Sequence, residues 1–211
     1  MSVGIYVLAA GQSRRFGTPK LDASCAGQLL GAWILAAIEA ADIAPGTIVV
    51  PRVSPRFARD GEGRGWRLAV NDDAAQGLAT SLACAIRDAD AMGHDAACIF
   101  LADMPLITPG HVRTLVTAGP PGRPVATPYP GGRLGVPARL PRALFAALTC
   151  GGADVGAAGL LAAQPTLRAI TDGADLCDVD SPADMARVAA VLMARHGARA
   201  DAAPIARPVD R

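Results

Sequence analysis

The sequence predicts one three-layer α/β/α domain built on a mostly parallel sheet, and three observations predict it. Short apolar runs alternate with amphipathic helical stretches along most of the 211 residues, as in strands joined by crossover helices. Residues 96–102, Ala-Ala-Cys-Ile-Phe-Leu-Ala, are apolar throughout, which suits a parallel strand covered on both faces. Apolar residues make up 51% of the chain, core enough for one domain, and the length is short for two.

The elements follow in order. Residues 4–10 form an apolar run with β-branched and aromatic members and read as a buried first strand. A polar, doubly basic loop from Gly11 to Lys20 follows it. Within residues 29–41, Leu30, Ile34, Ala37 and Ile38 recur at helical spacing. Residues 48–50 read as a second strand closed by Pro51, residues 52–66 as a loop rich in Arg, Gly and Pro, and residues 67–70 as a third strand. A helix is expected over 78–91, with Leu78, Leu82, Ala85 and Ile86 on one face, and then the strand at 96–102. Thr108 and Pro109 read as the N-cap and first residue of the next helix. Residues 120–132 are rich in Pro and Gly around a short strand at 125–127. Residues 141–148 read as a helix, 167–170 as a strand, and Ser181-Pro182 opens a last helix to about Arg195. The expected domain spans 1–196, and residues 197–211 read as a disordered tail.

Composition narrows the classes. A net charge of +1 gives no broad attraction to nucleic acid or to a membrane surface, and 4% aromatics are too few for a base-stacking platform. The five cysteines are scattered with no C-x-x-C, which argues against a zinc site or a disulfide framework and for free thiols in a reducing compartment. No apolar run reaches membrane-spanning length and the N-terminus lacks a signal-peptide pattern, so a soluble cytoplasmic protein is expected. His94, His111 and His196 have no metal-ligand spacing and are expected to be surface or structural residues.

The Gly11–Lys20 loop carries the first chemical signal. Gly11 and Gly17 allow close backbone approach, successive amides in such a loop favour an anion, and Arg14, Arg15 and Lys20 add positive charge. That combination predicts a triphosphate cradle. It is not a P-loop, because five residues separate the glycines and Thr18-Pro19-Lys20 follows the second. It is not the dinucleotide fingerprint either, since Ser13 stands where that motif needs a glycine. The segment resembles the L-A-A-G-x-S-x-R-x-G-x-x-K signature of the MobA-like nucleotidyltransferases. Leu8, Ala9, Ala10, Gly11, Ser13, Arg15, Gly17 and Lys20 all fall on it. The resemblance implies a Rossmann-like sheet of the nucleotide-diphospho-sugar transferase type. It also implies a loop that wraps the phosphates and base of a nucleoside triphosphate.

The carboxylates supply the second signal. Asp103 closes the apolar 96–102 run, where a bare charge is costly unless compensated. A divalent cation beside a triphosphate would compensate it, because Mg²⁺ takes one or two carboxylates together with phosphate oxygens and waters. A turn or capping aspartate before Pro105 is the local alternative. Ala102-Asp103-Met104-Pro105 matches the family's A-D-M-P, whose aspartate binds the catalytic metal. Asp178-Val179-Asp180-Ser181-Pro182-Ala183-Asp184 resembles the family's D-I-D-T-P-E-D. Strand alternation puts Asp178 and Asp180 on one side, so either can join Asp103 at the metal; Asp180 is preferred, and helix capping by Ser181 or Asp180 is the competing role. Asn71, Gly77, Ser81 and Leu82 resemble a family segment that lies near the nucleobase and ribose. Right-handed crossovers would bring the Gly11–Lys20 loop and Asp103 into one cleft at the carboxyl edge of the sheet.

The reaction implied by the resemblance is nucleotidyl transfer to a phosphate-bearing acceptor. Lys20 and Arg15 would hold phosphates, and Asp103 with Asp180 would hold Mg²⁺. Ala9-Ala10-Gly11, Phe16-Gly17-x-Pro19-Lys20 and Gly77-x-x-x-Ser81-Leu82 look like the molybdenum cofactor cytidylyltransferases, which implies CTP as donor and molybdopterin as acceptor. The second half departs from that pattern. Gly135-Val136-Pro137 stands where the family has G-H-P, and Ala153 to Ala158 stands where it has G-D-x-G-A-R. The rivals are therefore a transferase for another acceptor such as a sugar phosphate, and a weakly catalytic protein that delivers the cofactor to a molybdoenzyme. A dinucleotide-dependent oxidoreductase is disfavoured by the missing fingerprint.

Overall fold

In the computed structural model, which describes residues 2–11, 16, 19–120, 122–129, 131–150, 157–170 and 176–201, the first strand is β1 (Val3–Leu8). Ser13, Arg14, Arg15 and Gly17 lie outside the described residues. A 3₁₀ turn (Lys20–Asp22) leads to a small hairpin, β2 (Ser24–Cys25) and β3 (Gln28–Leu29), and then to α1 (Ala32–Glu39). β4 (Thr47–Val50), α2 (Arg56–Glu62), β5 (Arg67–Val70), a 3₁₀ turn (Ala74–Gln76), α3 (Leu78–Ala91) and β6 (Ala96–Leu101) complete the first half. The second half holds α4 (Pro109–Thr117), β7 (Val125–Pro128), β8 (Leu134–Pro141), α5 (Phe145–Cys150), α6 (Ala157–Ala162), β9 (Arg168–Ala169) and α7 (Pro182–Asp201).

Seven strands form one sheet in the order β5-β4-β1-β6-β8-β7-β9. β1 pairs in parallel with both β4 and β6, and β4 with β5; β8 runs antiparallel to β6 and β7. Along β1, Ile5 and Val7 join a core shared with α1, α2, α4 and α7, while Tyr6 and Leu8 join the opposite core with α3, α5 and α6. This alternation is the three-layer arrangement the sequence predicts. The chain moves outward from β1 through β4 to β5, then returns across α3 to β6 on the other side of β1. Strand order therefore reverses between β1 and β6, and a crevice opens outside their carboxyl ends.

Several elements differ from the sequence reading. Residues 52–66 are not only loop: α2 forms there, because the Asp22 carboxylate accepts the amides of Arg56 at 2.7 Å and Phe57 at 2.9 Å. Phe57, Ala58 and Trp66 are buried against α1, and Trp66 Nε1 donates to Glu39 Oε1 at 2.9 Å. The first helix begins at Ala32 rather than at residue 29, since Gln28 and Leu29 pair in the small hairpin. β8 and α6 were not foreseen. Pro137 hid β8, because a proline argues against an inner strand; the β7–β8 register shifts between Ala126 and Thr127, and Pro137 lies opposite that shift. Residues 142–144 form a 3₁₀ turn ahead of α5, which extends to Cys150. α7 continues through Asp201, past the expected end near Arg195.

Arg139 of β8 holds the second half together. Its buried guanidinium donates to the carbonyls of Val116, Ala118, Gly119, Pro120 and Arg123, at the C-terminal end of α4 and just beyond it. Burial pulls its pKa below the usual arginine value.

Candidate active site

Leu8, Ala9, Ala10 and Gly11 reach the carboxyl edge of β1 and line a cavity of about 280 Å³. Lys20, Ser81, Asp103, Asp178 and Asp180 line the same cavity. Lys20 is placed there by its neighbour: Leu21 is buried in the core, and its carbonyl accepts the Gly31 amide at 2.9 Å. Asp103 follows β6 in a turn whose next residue, Met104, is fully buried. The Asp103 carbonyl accepts the Val179 amide at 3.1 Å, which ties residues 176–180 to the β6 turn. Val179 is buried in the core, so the flanking Asp178 and Asp180 project to the other side.

Lys20 Nζ joins the carboxylates. It donates to Asp103 Oδ2 at 2.8 Å and to Asp180 Oδ1 at 3.3 Å. The three side chains are 12%, 25% and 63% exposed in that order, so the pair to Asp103 is the sheltered one. Burial alone would lower the Lys20 pKa, but the Asp103 and Asp180 carboxylates outweigh it and raise it above the usual lysine value. The ammonium therefore stays charged at neutral pH. Burial first, and then the Asp103 and Asp180 charges, push Asp178 up to about 6, against the pull of Lys20 and Arg133. Asp178 Oδ1 is buried and has no hydrogen-bond partner.

Of the two capping candidates at α7, Ser181 takes the role and the Asp180 side chain does not. Ser181 Oγ accepts the Asp184 amide at 3.2 Å and donates to Asp184 Oδ2 at 2.7 Å, a reciprocal cap. That leaves the Asp180 carboxylate turned to Lys20 rather than to the helix.

Asn71 and Gly77 act on the loop before α3. Asn71 is buried; its Nδ2 donates to Thr80 Oγ1 at 3.0 Å and Ser81 Oγ at 3.1 Å, and its Oδ1 accepts the Asp73 amide at 3.1 Å. Gly77 sits at φ 114° and ψ −174°, a conformation essentially confined to glycine, and forms the N-cap of α3. Asn71 also borders a separate, open cleft between the loops after β4 and β5, with Ala9, Ala10 and Gly11 on its other side.

Sequence reasoning missed a second chamber of about 400 Å³ on the β8 side. Tyr129, Arg133, Leu134 and Val136 border it, and Asp178 lies between it and the carboxylate cavity. Its signal was weak, because these residues fall in or beside the Pro/Gly-rich stretch. His94 and His111 are elsewhere: His94 faces Ser2 Oγ at 3.3 Å, and buried His111 bonds through Nε2 to Thr127 Oγ1 at 2.9 Å, while the His196 side chain lies outside the described ones. Among the described residues no group of three or more His, Cys, Asp and Glu could hold a metal ion, and no helix is long and apolar enough to cross a membrane. All five cysteines are free thiols.

The architecture is the nucleotide-diphospho-sugar transferase fold, as in a nucleotidyl transferase from Methanothermobacter, 18% identical, which superposes with a TM-score of 0.76 over 92% of this chain and 99% of that one. The chain belongs to the MobA-like NTP transferase domain family, whose model matches residues 5–169. It is 32% identical over 127 residues to the purine catabolism protein PucB of Bacillus subtilis; the match covers 56% of this chain and 60% of PucB. It also resembles the crystal structure of Rv0371c from Mycobacterium tuberculosis, at 25% identity and a TM-score of 0.73, over 90% of this chain and 98% of that one. Another structure of Rv0371c is a complex with manganese, at 22% identity and a TM-score of 0.68, over 90% of this chain and 99% of that one.

Proposed function

We propose that this domain transfers a nucleoside monophosphate, CMP from CTP, to the phosphate of an acceptor, molybdopterin, and releases pyrophosphate. The observation that carries the reading is the Lys20–Asp103–Asp180 cluster in the crevice between β1 and β6. An oxygen of the acceptor phosphate attacks the α-phosphorus in line. A new P–O bond forms, the bond from the α-phosphorus to the bridging oxygen breaks, and its electron pair leaves with pyrophosphate. Such a step depends on positioning and charge neutralisation, and an acceptor that is already an anion requires no general base.

The residues suit a divalent cation that takes two protein carboxylates and completes its shell with phosphate oxygens and water. Asp103 and Asp180 converge on one ammonium, and Asp178, whose buried Oδ1 has no hydrogen-bond partner, lines the same cavity. Mg²⁺, held by Asp103 and Asp180, would neutralise charge on the α-phosphate and on the attacking oxygen. The chain does the rest. Lys20 moves from the carboxylates to the phosphates, and Arg15 shares that load. The backbone of Leu8, Ala9, Ala10 and Gly11, with Ser13 and Gly17, frames the triphosphate. Asn71, Gly77 and Ser81 set the wall toward the base and ribose, with Asn71 acting through the loop it braces.

A second reading is a cofactor-delivery protein serving a molybdoenzyme. Val136, where the resemblance leads one to expect histidine, favours it, and the PucB name allows a role in purine catabolism. The test is pyrophosphate release from CTP, GTP and ATP with molybdopterin or a sugar phosphate as acceptor, and Lys20→Ala and Asp103→Ala as controls. CTP-dependent release lost in both variants supports the transferase. A preference for GTP rejects the cytidylyl assignment, and cofactor binding without release supports delivery.

A further inference from the structure

Lys20 is the one lysine in the sequence; every other member of the 20 Lys and Arg residues is an arginine. Its place is equally particular. The ammonium stands where the Asp103 and Asp180 carboxylates converge, at 2.8 Å and 3.3 Å. The two carboxylates do not need it to stay together. The Asp103 carbonyl accepts the Val179 amide at 3.1 Å, Val179 is buried, and Ser181 with Asp184 secures the start of α7. The lysine backbone is held as well, since its carbonyl accepts the Ala23 amide at 3.1 Å and the next residue, Leu21, is buried. What can move is the flexible stem. It lies in one cavity with Leu8, Ala9, Ala10 and Gly11, the segment read above as the frame for a triphosphate.

We infer that Lys20 is an interlock: without nucleotide its ammonium fills the cation position between Asp103 and Asp180, and it thereby couples divalent-metal binding to triphosphate binding. The inference rests on the nucleotidyl-transfer reading. To a metal ion arriving alone, two carboxylates already neutralised by a sheltered cation offer little. Lys20 would have to give up both of them before any anion replaced them, and a sheltered charge parted from its partners is costly. A triphosphate changes the balance, because its oxygens receive the ammonium as the carboxylates are released. The same oxygens complete the metal's shell, which no group of three or more His, Cys, Asp and Glu among the described residues could do. Metal and triphosphate therefore bind better together than either does alone, and by linkage the gain is the same for both. The choice of lysine follows. An arginine fork grips a carboxylate through two parallel N–H bonds, whereas an ammonium is a point charge that turns from one set of oxygens to another. In a chain whose other Lys and Arg positions all hold arginine, the lysine stands where release is needed.

The test reads binding rather than turnover. Mn²⁺ alone is titrated into the nucleotide-free full chain and followed by the paramagnetic resonance of the free ion. Lys20→Met, which keeps the stem and removes the charge, is expected to bind Mn²⁺ about tenfold or more tightly than wild-type protein. Lys20→Arg, which keeps a cation, should stay at the wild-type value. Adding Asp180→Asn to Lys20→Met should abolish the gain, which assigns it to this pair of carboxylates. A second measurement needs no variant. Protein isotope-labelled at lysine Cε gives one lysine signal, because the chain has one lysine. That signal should hold its position as Mg²⁺ alone is added and shift once CTP and Mg²⁺ are both present. Equal Mn²⁺ affinity in wild type and Lys20→Met, a gain that survives Asp180→Asn or appears equally in Lys20→Arg, or a lysine signal that shifts fully with Mg²⁺ alone overturns the inference. Failure of CTP to bind wild-type protein in the presence of Mg²⁺ sinks the nucleotidyl reading instead, and the Mn²⁺ comparison still decides whether Lys20 guards the carboxylates.

Discussion

Residues 3–103 and residues 125–170 face one cleft but are made differently. The first region is a run of parallel β–α units, and its strand ends deliver Lys20 and Asp103 to one point. The second is an antiparallel pair, β7 and β8, that offers a largely apolar wall and a stacked arginine. The contrast separates two tasks. A phosphate-handling centre needs charges at fixed distances, and the carboxyl edge of a parallel sheet supplies them. A wall that selects by fit needs shape, which an antiparallel ribbon can vary without disturbing that edge. The family match at residues 5–169 spans both regions, while the departures at positions 136 and 158 both fall in the second, Val136 in β8 and Ala158 in α6.

The largest expected effects break the first region. Lys20→Ala and Asp103→Asn should each lower pyrophosphate release by about 10²–10³-fold or more with circular dichroism unchanged, because in the proposed reaction Lys20 would neutralise phosphate charge and Asp103 would hold the cation that does the same. Near-wild-type turnover in Asp103→Asn would remove the metal argument. Next comes Arg139→Met, which breaks the second region. It leaves the carbonyls around α4 without their donor and should cost about 3 kcal/mol or more of stability, read as a fall in Tm. The Kd for CTP should survive it, and loss of both together would mean the two regions are not separable.

The boundary between the regions is Asp178, and pH sharpens it. With its pKa raised to about 6 in the fold, Asp178 binds its proton more readily folded than unfolded. Its ionisation therefore opposes folding: the metal-free protein should lose stability from this group as pH rises from about 4 to about 6. Asp178→Asn should remove that slope, with a gain on the order of 1 kcal/mol at pH 7 after allowance for solvent screening. Denaturant midpoints across the pH range in chelator check it, and an unchanged slope contradicts it. The smallest effect is expected at Asp22→Ala. Loss of the cap on α2 should cost about 1 kcal/mol with turnover retained.

The first region was legible because its signals are local. The apolar run at 96–102 and the aspartate that ends it can be read from consecutive residues, and so can the Thr108-Pro109 helix start, where Thr108 Oγ1 accepts the His111 amide at 3.2 Å. What was missed depends on distant partners. The cap on α2 comes from Asp22, 34 residues away from Arg56. β8 carries Pro137 and a buried Arg139, and becomes a strand only through a register shift and the carbonyls beyond α4. The candidate site divides the same way. Alternation places Asp178 and Asp180 together, but that Ser181 and Asp184 would take the cap and leave Asp180 to Lys20 is a matter of three-dimensional geometry. Arg133 gave no signal, since an arginine in a Pro/Gly-rich turn looks solvated until Tyr129 is seen beneath it.

Calorimetric titration of CTP into wild-type protein and Asp103→Asn, each with Mg²⁺ and with chelator, tests the claim that the β1–β6 crevice holds a metal-bound triphosphate. The account predicts binding by wild-type protein that requires Mg²⁺ and is lost or weakened by about tenfold or more in Asp103→Asn. Binding of equal strength with and without metal, or unaltered in Asp103→Asn, would contradict it.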